Sequence, residues 1–220
     1  MELRLANIKD AGELARAHMA SGARQPAGFM FKLGRSFLAE YYRAILTCKG
    51  TVILCAEKNN KIIGFISGTL RAEERLPGLK KHRFRLATAA MPAIMKQPAL
   101  LFQAYAREKS GSAESGNGFI VQSGPHQEYW AWCVPGATGS LQLQLKWLAV
   151  MKTLGATHIM CEVDGVNELS ENAHKACGAR RIAEITTPDG RKRHILRYEL
   201  VKPTSPKETR APTGESVHAS

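Results

Sequence analysis

Between Glu128 and Gly178 a strand, a turn of small residues, a helix, a second strand and a second helix follow in sequence. The first strand is the apolar run Glu128-Tyr-Trp-Ala-Trp-Cys-Val134, and the turn is Pro135-Gly-Ala-Thr-Gly-Ser140. An apolar helix runs from Leu141 to Leu154 and closes at Gly155. The second strand, His158 to Val163, leads to Asn167 and a short helix ending at Cys177-Gly178. A small-residue turn before a helix brings free backbone N–H groups to the positive end of the helix dipole. Such a layout suits the pyrophosphate of a nucleotide-like ligand. The plain alternative is a tight strand-to-helix connection with no ligand.

The order and spacing of these elements resemble the acyl-CoA-binding half of the GNAT N-acetyltransferases. Gly139 lies sixteen residues before Gly155, and Asn167 lies seven before His174, as that family's Asn precedes its Tyr. Cys177-Gly178-Ala179 stands where the family has Leu-Gly-Phe. The signature residues depart from the pattern. Ala137 replaces the loop's first glycine, Val134 stands where Gln or Arg is usual, Ala173 replaces Phe and His174 replaces Tyr. The run Phe31-Lys-Leu-Gly-Arg-Ser-Phe-Leu-Ala-Glu-Tyr-Tyr-Arg43 looks like the second helix of a bacterial subgroup associated with surface-polysaccharide gene sets. The resemblance covers most of residues 1–70 and 128–200. It implies an α/β fold: a GNAT-like single domain with a central mixed, largely antiparallel sheet flanked by helices.

At 220 residues and 44% hydrophobic content the chain can bury one sizeable core. We expect one domain over residues 1–201 and a disordered tail over 202–220, where Pro, Thr, Ser, Glu and Lys lack apolar periodicity. A net charge of +12 points to anionic partners without choosing among them. The five cysteines, Cys48, Cys55, Cys133, Cys161 and Cys177, form no Cys-x-x-Cys pair and read as reduced thiols. His and Cys never fall at metal-ligand spacing, so no metal is expected. No leader and no spanning run of apolar residues is evident, which leads us to expect a cytoplasmic protein.

Residues 2–6 read as a strand, and Asp10 with Glu13 as a capping box for a helix through Met19. Ser21 to Phe31 reads as a loop. After Gly34 the apolar positions Phe37, Leu38, Tyr41, Tyr42, Ile45 and Leu46 recur at helical spacing. Thr51–Ala56 and Lys61–Leu70 form a hairpin across an Asn-Asn turn. Residues 71–127 are an insertion. It holds a basic run from Lys80 to Arg85, an Ala/Leu/Met-rich helical stretch broken by Pro92 and Pro98, and a Gly/Ser-rich return over Ser110–Gly118. A lid over the acceptor site, an extra packed helix pair and a membrane-surface segment all stand open for it. A last hairpin, Ala179–Thr186 with Arg191–Leu200, turns at Pro188-Asp-Gly190.

The resemblance implies that acetyl-CoA is the acyl donor, with Trp132, Cys133 and Val134 supplying backbone groups to the pantetheine arm and thioester carbonyl. Gly136, Ala137, Thr138, Gly139 and Ser140 would cup the pyrophosphate. Asn167 either contacts the donor or caps its helix. Glu128 is the candidate base for the acceptor amine, with His126, Glu162 and Asp164 as weaker alternatives. His174 is the candidate proton donor to the leaving thiolate and a further cofactor-binding residue. Imidazole's ordinary pKa of about 6.5 would make such a role fade as pH rises. Trp130, Trp132 and Trp147 read as core or cleft wall.

The leading reading is an acyl-CoA-dependent N-acetyltransferase acting on a small amine, an amino-sugar intermediate fitting the subgroup. The alternative is a GNAT-like module that binds a ligand or partner with little or no turnover. Nucleic-acid binding through the Lys80–Arg85, Arg180-Arg181 and Arg191–Arg193 clusters ranks last, because aromatic stacking residues are scarce beside them. Homodimerisation stays open.

Overall fold

A computed structural model describes residues 1–22, 29–103, 123–136, 138–186, 190 and 192–201. The return loop over 110–118, Ala137, Thr187–Asp189 of the last turn and the tail from Lys202 lie outside the described residues.

The strands are β1 (Glu2–Leu5), β2 (Thr51–Lys58), β3 (Lys61–Thr69), β4 (His126–Trp132), β5 (His158–Asp164), β6 (Arg180–Thr186) and β7 (Lys192–Glu199). They form one sheet in the order β1-β2-β3-β4-β5-β7-β6. Every neighbouring pair is antiparallel except β4 and β5. The expected mixed, largely antiparallel sheet is therefore present. The Asn-Asn turn of the first hairpin carries positive φ at both residues, 53° and 57°, which matches the twist of the flanking strands.

The helices are α1 (Ala11–Gly22), α2 (Phe29–Lys32), α3 (Gly34–Ile45), α4 (Arg75–Lys80), α5 (Arg83–Lys96), α6 (Thr138–Thr153) and α7 (Glu168–Ala176). Two cores lie on opposite faces of the sheet. On one face Leu14, Ala17, Leu38, Tyr42 and Ile45 of α1 and α3 cover Ile53, Phe65 and Ala131. On the other, Leu143, Trp147, Leu148 and Met151 of α6 cover Val52, Ile66, Ile159 and Leu196. Trp147 is fully buried and its Nε1 donates to the Val52 carbonyl at 3.1 Å, so burial leaves no polar cost. The indole lies on Gly68, where a side chain would collide with it.

Several boundaries differ from the sequence reading. The capping box is formed by Asn7 and Asp10, one turn earlier than Asp10 and Glu13. Asn7 Oδ1 accepts from Lys9 N while Asp10 accepts from Asn7 N, and α1 grows directly from that short turn. Helical structure also claims both ends of the expected Ser21–Phe31 loop. Pro92 does not break α5: it and Thr88 face solvent, so the carbonyl that loses its partner can bond water. The break comes at Gln97, and residues 99–103 are again helical. α5 packs through Ala90, with Leu33 and Leu100, against the α3 side. β4 begins at His126 rather than Glu128. α6 begins at Thr138 rather than Leu141, so Thr138, Gly139 and Ser140 are its first turn and not loop.

A half-paired strand at the candidate active site

β4 changes character along its length. Among the described residues, His126 and Gln127 pair with Met160 and Cys161 of β5, and no residue beyond them does. On its other edge β4 pairs with β3 all the way to Trp132. The two central strands therefore part after Gln127. Cys133 N donates to Ile63 O on β3 at 2.8 Å. Backbone groups alternate sides along a strand, so the N–H groups of Trp130 and Trp132 face the gap. This corrects one expectation: the Cys133 N–H is engaged by β3 and is not offered to a pantetheine arm. Val134 lies in a bend past the end of β4.

At the open end of the gap stands the start of α6. The first N–H groups of a helix have no intrahelical acceptor, and here they include those of Thr138, Gly139 and Ser140. No acidic residue occupies this first turn. The Trp132 indole lies beneath it: Nε1 donates to Gly136 O at 2.9 Å. A Cβ on Gly139 would come within 2.7 Å of that ring. Gly136 has φ +91°, a conformation that glycine adopts without strain. The small residues thus let a tryptophan support the loop from below.

Where β4 is still closed, a bulge inserts Glu128. Gln127 faces Gly68 and Tyr129 faces Ser67, leaving Glu128 as the extra residue. The bulge turns Glu128 toward Arg75, whose Nε donates to Glu128 Oε1 at 2.5 Å. Arg75 Nη1 also donates to Thr51 Oγ1 at 3.0 Å. Both side chains are nearly buried, 10% and 14% exposed. Burial raises the Glu128 pKa, against the pull of Arg75. Glu128 Oε2, Arg75 Nη2 and His126 Nε2 are buried without a hydrogen-bond partner among the described residues. His126 is held neutral, its pKa pushed down to about 4 by burial and by the charges of Arg75 and Arg193. Beside it on β5, Glu162 accepts from Arg193 Nη1 at 3.0 Å, and burial pushes its pKa up to about 7. Glu128, His126 and Glu162 are therefore brought to one polar cluster. Asp164 lies at the far end of β5, opposite Arg193 in register.

His174 is buried, not a half-exposed residue of the helix surface. Its ring meets Trp130 edge-on at 5.2 Å. Gln144 Nε2 donates to Gln127 Oε1 at 2.7 Å and to the Tyr198 hydroxyl at 3.0 Å. The Tyr198 hydrogen is then free to bond His174 Nδ1, 2.7 Å away. That bond places the imidazole proton on Nε2. Burial lowers the His174 pKa to about 4, so the ring is neutral at neutral pH. The expected protonated acid is replaced by a neutral N–H donor of fixed tautomer. Asn167 caps α7, its Oδ1 accepting from Ser170 N at 3.1 Å.

The sequence reading missed Arg75, Tyr198 and the Gln127–Gln144 pair, which lie 53, 24 and 17 residues from their partners. Gln144, a polar side chain on the same helical face as Trp147, Leu148 and Met151, was the one available signal. Trp130, read as core or wall, carries a buried Nε1–H with no hydrogen-bond partner among the described residues.

No protein-family model matches the chain, and no curated protein matches it. Solved structures do. An acetyltransferase of the GNAT family from Bacillus cereus is 10% identical, with a TM-score of 0.52 over 90% of this chain and 96% of that one. An aminoglycoside 6'-acetyltransferase type Ii is 7% identical, with a TM-score of 0.56 over 91% of this chain and 98% of that one. This chain has the GNAT acetyltransferase fold. AAC(6')-Ib, solved in complex with paromomycin and acetyl-CoA, shares the fold at 13% identity and a TM-score of 0.53, over 96% of this chain and 98% of that one. Among the described residues of this GNAT-fold chain, no helix is long and apolar enough to cross a membrane, and no group of His, Cys, Asp and Glu could hold a metal ion.

Proposed function

We propose that the chain is an acyl-CoA-dependent N-acetyltransferase that transfers an acetyl group from acetyl-CoA to an amine of a small molecule, with amino sugars as the first acceptors to test. The observation that carries this reading is the half-paired β4. Its gap offers the Trp130 and Trp132 N–H groups to an extended ligand, and the α6 N-terminus stands where that ligand's phosphates would end. The solved neighbour with acetyl-CoA and an aminoglycoside bound supports both ligand classes.

Glu128 takes a proton from the acceptor ammonium, directly or through one water; a buried carboxylate of raised pKa suits that task. The freed amine attacks the thioester carbonyl carbon, and the oxyanion is held by a β4 N–H. One such donor is worth on the order of 3 kcal/mol to a transition state. The C–S bond then breaks as the CoA thiolate leaves, and the nitrogen gives up its second proton, through water, to that thiolate, which completes the amide and the free CoA thiol. His174 Nε2–H is the candidate donor toward that sulfur. The gap, the Gly136–Ser140 turn and Asn167 are the proposed donor contacts.

The test is release of free CoA thiol from acetyl-CoA in the presence of a panel of amines. Acceptor-dependent release that falls at least a hundredfold in Glu128→Gln supports the reading. Tight acetyl-CoA binding with no release for any amine would favour the binding-module alternative.

A further inference from the structure

The helices of the insertion present a surface that neither core nor site uses. Six large apolar side chains between Leu76 and Phe102 stand exposed: Leu76, Phe84, Met91, Met95, Leu101 and Phe102. Phe84, Met95 and Phe102 are each about three-quarters exposed, at 74%, 76% and 75%. Single exposed apolar residues are ordinary, but a concentration of them marks a contact surface. On α5, at roughly 100° per residue, Phe84, Thr88, Met91 and Met95 fall within about 60° of one another. Ala90 and Ala93, which pack inward, lie on the opposite side of the helix, with Ile94 between them and the stripe. The stripe therefore points away from the body of the protein.

The charges on this segment have one sign. From Leu76 to Phe102 the sequence has five Lys or Arg and not one Asp or Glu. Lys80, Lys81, Arg83 and Lys96 are all exposed, and Arg83 lies over the Phe84 ring at 4.9 Å. Arg83 and Lys96 flank the stripe on its two sides. Arg85 is partly engaged with Glu40 of α3 at 3.2 Å. An apolar stripe bordered by cations matches a bilayer surface, where apolar side chains enter the acyl boundary and cations stay among anionic headgroups. A nucleic acid would match the cations but offers no counterpart to the exposed Leu and Met side chains.

We propose that the outer face of α4, α5 and residues 99–103 docks reversibly on an anionic lipid surface. This surface is separate from β4 and its gap, so the proposal stands or falls independently of acetyl transfer.

Co-sedimentation of the full chain with vesicles tests it. Vesicles of equal parts phosphatidylglycerol and phosphatidylcholine should pellet the wild-type chain, and pure phosphatidylcholine should pellet far less. Lys80→Glu with Lys81→Glu should weaken partitioning more than tenfold, roughly fivefold for each cation lost. Met91→Glu with Met95→Glu and Phe102→Glu should weaken it at least as much and leave the circular dichroism spectrum unchanged. No pelleting with the phosphatidylglycerol vesicles at low salt would overturn the proposal. So would pelleting that the charge variant loses and the apolar variant keeps, which is the pattern of simple polyanion binding. A concentration-dependent dimer in lipid-free solution, abolished by the apolar variant, would assign the surface to a second copy instead.

Discussion

The two ends of β4 are built to opposite rules. At the closed end, His126 and Gln127 have strand neighbours on both sides, and the side chains there are polar and largely buried, with the Arg75–Glu128 ion pair among them. At the open end, Trp130 and Trp132 have a neighbour on one side only, and the surrounding side chains are aromatic or small. A strand with unpaired backbone buried in a sheet costs stability unless something else takes the hydrogen bonds. The closed end holds the two halves of the sheet together so that the open end can stay unpaired. Glu128 sits at the seam, placed there by a bulge.

If that division holds, variants at the closed end lose stability and variants at the open end lose donor affinity. The largest effect is expected for Glu128→Ala, which strands the Arg75 guanidinium without its buried partner. Urea denaturation should show a loss of about 3 kcal/mol or more. A loss below about 1 kcal/mol would mean the pair is solvated and the closed end is not locked.

Next in size is a pH effect at Glu162. Its native pKa of about 7 lies above the ordinary carboxylate value, so the native state holds a proton that the unfolded chain has released. The stability this adds is present below about pH 4.5 and is lost as pH rises through about 7. Glu162→Gln stays neutral throughout. It should match wild type near pH 4.5 and exceed it by roughly 3 kcal/mol at pH 8. Equal stability curves would show Glu162 to be ionised and well paired. His126 and His174 act in the opposite sense: both are held neutral, and their contribution disappears as pH falls from about 6.5 through about 4.

Tyr198→Phe sharpens the comparison beneath the open end. It removes a hydrogen bond from both Gln144 and His174, at an expected 1–2 kcal/mol by thermal denaturation, roughly. It also frees the imidazole tautomer, so turnover should fall while the KM for acetyl-CoA holds. In the wild type, turnover should show no inflection near pH 6.5 attributable to His174. The smallest effect on stability is expected for Trp132→Phe, about 1 kcal/mol from the lost bond to Gly136. That variant should instead raise the acetyl-CoA Kd several-fold by titration calorimetry. A large stability loss with unchanged Kd would place Trp132 in the core and not at a site.

The architecture was legible where local chemistry decides it. The Asn-Asn turn, the apolar face of α3 and the order of elements after Glu128 each follow from spacing and turn residues. The start of α6 was misplaced because Thr138, Gly139 and Ser140 have the composition of a loop, and helix geometry overrode it. The strand parting at Gln127 follows from no residue type, since an open ladder is a relation between strands. The charged cluster was half visible. Glu128, His126 and Glu162 were readable as titratable groups on strands, but Arg75 is brought to Glu128 by the entry of the chain into the insertion. The tautomer of His174 depends on Tyr198 from the last strand and its neutral form on burial, so neither could be read from its place in α7.

Amide hydrogen exchange across β4, with and without acetyl-CoA, tests the central division most directly. Without ligand, the amides of His126 and Gln127 should be protected and those of Trp130 and Trp132 should exchange faster. Saturating acetyl-CoA should slow exchange at Trp130, Trp132 and the first turn of α6, and leave the closed end as it was. Uniform protection along β4 before ligand, or no change on adding it, would contradict the account.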